Sequence, residues 1–228
     1  MANLDGGSLD TLTRVAWRQW TAIGVTGRIE PVTAPVDPEA LIILTARLGD
    51  EDARLRDAAI DWCVAAGHLV NGSRLTHIAS GAGLNDDTRL QQFLATVGAA
   101  GGPVWGGRDV APMLYSARGT VNLTSLAGDA RLLLRLRASV GVNARADILA
   151  WLLADDDAIA IPDLVAATHF TRTNIDKTLA VLELAGHVEV ISSGERGRKV
   201  RLADGSPFRA WGRPAVPCMT GRNCSTWR

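Results

Sequence analysis

The side chains best suited to chemistry form two short basic and polar groups toward the C-terminal end of the chain. Arg172, Thr173, Asn174, Lys177 and Thr178 make the first; Arg196, Arg198, Lys199 and Arg201 make the second. A guanidinium bridges the O6 and N7 acceptors of guanine, and an asparagine amide bridges the N7 and N6 groups of adenine. Lysines and other arginines suit phosphate oxygens, which are bound by charge without regard to base sequence. The chemistry within reach is recognition of a nucleic-acid duplex. Base edges fall to Arg172, Thr173, Asn174 and Lys177, a phosphate to Thr178, and phosphates or the minor groove to the second group.

Two kinds of element must position these groups. Thr171 is placed to cap a helix in which Ile175, Leu179 and Leu182 share one face, leaving the polar residues of 172–178 on the other. Gly186 ends it. The apolar period then falls from about 3.6 to 2. Val188 and Val190 alternate with His187 and Glu189, residues 193–197 supply a turn with two glycines, and Val200 and Leu202 alternate with Lys199 and Arg201. This pattern predicts a two-stranded hairpin with a basic tip. Upstream, a helix from Asn143 presents Ile148, Trp151 and Leu152, and Pro162 opens a short helix through Leu164, Val165 and Ala167. That short helix has Ile161 where Ser, Thr or Asp is the ordinary cap, so its first-turn amides need another partner.

Helix, helix, helix, hairpin is the winged-helix order. Residues 135–202, above all Leu-Arg-Ala-Ser-Val-Gly-Val-Asn-Ala-Arg-Ala-Asp-Ile-Leu at 136–149 and Thr-Arg-Thr-Asn-Ile at 171–175, resemble winged helix-turn-helix transcriptional regulators of the MarR and ArsR kind. More distantly they resemble the winged-helix antitoxins that accompany nucleotidyltransferase toxins and repress their own operon. The resemblance implies a DNA-binding regulator, a repressor, with the third helix in the major groove and the hairpin on the flanking backbone.

The N-terminal half reads as helical. A helix over 11–23 places Trp17 and Trp20 a turn apart, and Asp37-Pro38-Glu39 starts a helix that runs to Leu48. A helix over 52–66 puts Leu55, Ala59, Trp62 and Ala66 on one stripe, with Gly67 as its stop. Ser73 is positioned to cap a turn through Leu75 and Ile78, and 87–97 buries Leu90, Phe93, Leu94 and Val97. Arg54, Arg56, Arg74 and His77 are the basic residues of a conceivable second helix-turn-helix. Their interleaving with Glu51, Asp52, Asp57 and Asp61 favours a solvated amphipathic face instead.

The expected fold class is therefore mainly α with a small β-hairpin (α+β). It comprises a helical N-terminal domain over 1–100, a Gly/Pro-rich linker over 101–124, a winged-helix domain over 125–208 and a disordered tail over 209–228. The leucines of 125–139 invite a dimerisation reading, since Leu126, Leu133 and Val140 are seven apart. Two heptads fall short of a coiled coil, and packing within the domain is the stronger expectation.

Composition narrows the function classes. The formal net charge is +0, which excludes a highly basic coating protein and leaves any DNA contact to a local patch. Between 171 and 203 six cationic residues face four anionic ones. So small an excess implies a homodimer, because two half-sites strengthen binding to double-stranded DNA. The N-terminus is polar, no apolar run approaches the ~20 residues of a membrane span, and a cytoplasmic location without membrane contact is expected. His68, His77, His169 and His187 are scattered, and Asp155-Asp156-Asp157 reads as the solvated end of a helix, so no metal or cofactor is expected. No nucleophile-and-base motif is present, so catalysis is not expected. The other function class is a protein-interaction module that binds a toxin or another regulator, with Trp17, Trp20, Trp62 and Trp105 as anchors if they are exposed.

Overall fold

The structure, a computed structural model, describes residues 6–27, 30–154, 157–192 and 197–211. Five helices surround a first hydrophobic core: α1 (Gly6–Ala22), α2 (Pro38–Leu48), α3 (Ala53–Ala66), α4 (Gly72–Gly81) and α5 (Thr88–Ala99). Asp37, Asp52 and Asp87 each accept first-turn amides at the starts of α2, α3 and α5. α4 starts at Asn71, whose side chain accepts from the Arg74 amide, so Ser73 is not its cap. Trp20 and Trp62 are fully buried, with ring centroids 5.3 Å apart. Their indoles donate to Thr45 Oγ1 at 2.8 Å and to the Ile23 carbonyl at 2.9 Å, as buried tryptophans must. They are core residues and not interface anchors. Trp17 and Trp105 are half-buried against the same core.

The stretch 101–124 contains no helix or strand, yet it is fastened along the first core. Asp61 accepts from the Tyr115 hydroxyl and from the Arg118 amide at 2.9 Å, and Val121 bridges Val25. Gly67 does not stop α3 by a left-handed turn, since its φ is −61°. A β-carbon there would come within 2.6 Å of the Pro103 ring, so the glycine is required by close approach of this loop.

A second core gathers α6 (Leu132–Val140), α7 (Ala144–Ala154), α8 (Ile161–Thr168), α9 (Arg172–Leu184) and a sheet of β1 (Ile159–Ala160), β2 (Val188–Ser192) and β3 (Arg198–Leu202). The strand order is β1-β3-β2, antiparallel throughout, with Val190 opposite Val200 and Ile159 on its other side. The expected two-stranded hairpin is thus a three-stranded sheet. Thr171 caps α9, and Gly186 at φ 71° follows its end. α8 has no side-chain cap. Gly128, at φ 101°, delays the helix expected over 125–139 until Leu132. Leu126 then packs on the first core while Leu133 and Val140 pack on the second, so the leucine stripe is internal. Ordered structure continues through a 3-10 turn, Pro207–Trp211, beyond the expected start of the tail; the rest of that tail, 212–228, lies outside the described residues. Among the described residues no helix is long and apolar enough to cross a membrane.

The two cores meet at α6, where Leu134 belongs to the first and Leu132, Leu133 and Leu136 to the second. Beside them lies a buried ionic network. Arg137 donates to Glu39 at 2.6 and 3.0 Å, to Asp147 at 2.9 Å and to the Leu69 carbonyl at 3.0 Å. Arg74 forks onto Asp37 at 2.8 and 2.6 Å, bonds Glu39 at 2.6 Å, and reaches the Thr168 carbonyl at 2.8 Å. Burial works against the charge on Asp37, but the hydrogen bond and charge of Arg74 hold its carboxyl down at about 2. Burial pushes Glu39 up against the pull of Arg137. For Arg74 the loss of solvent is outweighed by Asp37, Glu39 and Asp147, which raise it.

Removing one member of such a network strands the others. Arg137→Met is expected to cost about 3–5 kcal/mol, seen as a lower denaturant midpoint, whereas Arg201→Met on the exposed Arg201–Glu189 pair should barely move it. Since the folded pKa of Asp37 lies below its ordinary 3.8, its contribution is complete above that value and is lost as pH falls toward 2. The stability gap between the parent and Asp37→Asn should therefore close over that interval, and a gap that stays constant with pH would contradict the assignment.

Candidate nucleic-acid interface

α9 is fixed from behind by Ile175, Leu179 and Leu182, all buried. Its opposite face exposes Arg172, Thr173, Asn174 and Lys177, with Thr178 half-buried. These five residues thus share one surface, as their spacing predicts. Their charge is less free than the sequence count implies. Arg172 pairs with Asp176 one turn on, at 2.8 Å, and Arg198 of β3 meets the same carboxylate at 3.7 Å. Thr178 donates to the side-chain oxygen of Asn174 at 3.2 Å, fixing that amide. On the sheet, Arg201 makes two bonds to Glu189, at 2.9 and 2.7 Å. The alternation of β3 turns Val200 and Leu202 inward, and Lys199, half-buried, lies on the outer face with Arg201. Among the described residues neither Lys177 nor Lys199 forms an ion pair. Arg196 lies outside the described residues, as do Asp155 and Asp156.

The exposed face of α9 looks into a cleft of about 700 Å³ whose far wall is α4 of the first core. Asn174, Lys177, Thr178 and Val181 form the near wall, Ser73 and His77 the far wall, and Arg145 and His169 lie between. Arg74 holds the walls in place, since it belongs to α4 and bonds the last carbonyl of α8, just before the turn into α9. That turn is made by His169, which at φ 57° is the one non-glycine residue with positive φ among those described. Burial first, and then the charge of Arg74, hold its imidazole below the ordinary histidine value. The cleft is therefore lined by a residue in a left-handed backbone conformation.

Known proteins offer no guide: no family model matches this chain, and neither a curated protein nor a solved structure matches it. What the arrangement can do must come from its own chemistry. A row of donors on α9 beside a sheet bearing a lysine and two arginines can meet base edges and phosphates together. Reasoning from sequence reached the α9 and sheet residues but missed Ser73, Arg145 and His169, which enter the site only because the buried network brings α4 against α9. The available signal was a charge in an apolar stripe: Arg137 after Leu132, Leu133, Leu134 and Leu136, and Asp147 between Ala146 and Ile148.

A left-handed residue other than glycine or asparagine carries a conformational cost. His169→Gly is expected to stabilise the fold by about 0.5–1 kcal/mol, measurable as a raised thermal midpoint; a lowered midpoint would mean that the ring's contacts outweigh the backbone strain.

Proposed function

We propose that residues 132–211 form a winged helix-turn-helix that binds double-stranded DNA, and that the protein is a transcriptional regulator, most simply a repressor. α8 and α9 are the helix-turn-helix, α9 reads the major groove, and β2 and β3 are the wing. The observation that carries this reading is the exposed polar face of α9, which presents Arg172, Asn174 and Lys177, with β3 brought to the same helix by the contact of Arg198 with Asp176. Asn174 is assigned to adenine and Arg172 to guanine, the latter once it releases Asp176. Lys177, Thr178, Lys199 and Arg201 are assigned to phosphates. A homodimer belongs to the same reading, on a surface other than the leucine stripe. The alternative, a module that binds a toxin or another regulator, loses the support of Trp20 and Trp62, which fill the core.

Fluorescence anisotropy on duplex DNA from upstream of the protein's own reading frame, across a salt series, tests the proposal. Saturable binding is expected, with the logarithm of affinity falling linearly with the logarithm of salt. Lys177→Ala and Lys199→Ala should each reduce that slope by about 0.9. Arg201→Ala should change it less, because Glu189 already neutralises Arg201, and Glu189→Gln should tighten binding. Absence of saturable binding at low salt would overturn the DNA reading and leave the interaction module in front.

A further inference from the structure

The cleft between α4 and α9 has a property that the proposed DNA surface alone does not need: among the described residues, no carboxylate lines it. In a chain with equal numbers of acidic and basic residues, a cavity of about 700 Å³ walled by Arg145, Lys177, His77 and His169 is a marked segregation of charge. The nearest acids are turned away. Asp37 is bound by the Arg74 fork beneath the cleft, and Asp176 of α9 is occupied by Arg172 and Arg198. The Ser73 hydroxyl and the Asn174 side-chain nitrogen add hydrogen-bond donors to the lining. The capping residues of three helices, Asn71 of α4, Asn143 before α7 and Thr171 of α9, also reach this cleft. The partial positive charges of their first turns therefore add to the side chains. Its volume falls within the range of small-molecule sites.

We infer that this cleft is a binding site for phosphate groups, built jointly by the two halves of the chain. His77 and Ser73 hold the phosphate from α4, Arg145 from the start of α7, and Lys177 from α9. The same chemistry admits two sources. A phosphodiester strand lying along α9 would place its backbone here, which rests on the DNA reading and extends its footprint onto the N-terminal half; a free phosphorylated small molecule would fill the cleft and cover the reading face of α9.

The test uses the full chain and a His77→Gln/Arg145→Gln variant, both residues being exposed and outside the buried network; an unchanged thermal midpoint confirms its fold. Duplex binding over a salt series is measured by anisotropy, and inorganic pyrophosphate is titrated while the histidine ring protons are followed by NMR. Loss of DNA affinity by about tenfold, with a salt slope lower by 1 to 2, supports the cleft with DNA as the source. Pyrophosphate shifts of the His77 and His169 rings in the parent, with the His169 shift lost in the variant, in a protein that binds no duplex, support the cleft with a free ligand and overturn the DNA reading. Duplex binding that is identical in parent and variant, with no response to pyrophosphate, overturns the cleft and leaves the DNA reading standing. Failure of both probes on the parent overturns both.

Discussion

The buried contact of Arg74 and Arg137 with Asp37, Glu39 and Asp147 is the constraint on which the rest depends. Each ion costs several kcal/mol to bring out of water, and only close, multiply bonded geometry offsets this. The offset requires α2, α4, α6 and α7 to stand in one arrangement, because the five side chains come from those helices or, for Asp37, from the cap of α2. Three carboxylates against two guanidiniums leave an excess of negative charge, which accords with the upward push on Glu39. The Arg74 bond to the Thr168 carbonyl then extends the arrangement to the α8–α9 turn. α4 is thereby a fixed neighbour of α9.

The same pairing governs the electrostatics outside. A chain of zero formal charge presents a basic surface only if its acids are placed elsewhere. Several of them are held by particular arginines: Asp57 takes Arg56 and Arg118, Glu189 takes Arg201, and Asp176 takes Arg172 and Arg198. Among the described residues of α9 and the sheet, Lys177 and Lys199 form no ion pair, and screening by salt acts most strongly on the exposed Lys177. Such a surface has little long-range attraction for nucleic acid and depends on contact geometry.

Much of the local structure was legible because its causes are local. Asp37, Asp52, Asp87 and Thr171 sit at helix starts as capping chemistry requires, and the apolar period changes from helix to strand at Gly186. The failures have a common origin in non-local contact. β1 is two residues long and exists only because β3 lies beside it. Gly67 does end α3 as read, but what requires a glycine there is the approach of Pro103. Trp20 carries no local mark of burial, whereas Trp62 lies on the apolar stripe read for α3. Within the site, the face of α9 was legible from period alone, whereas the opposing wall depends on an arginine that bonds a carbonyl 94 residues away.

α6 gives this dependence an evolutionary side. Leu134 on one face of the helix fills the first core, and Arg137 takes its counter-charges from both halves. A recombination event that moved only the second half into another protein would carry an apolar residue without a socket and a guanidinium without Glu39. The surface proposed to read DNA is therefore inherited with its N-terminal companion or not at all, and lineages of this chain should diversify by altering the exposed residues of α4 and α9 in place rather than by exchanging one half for another.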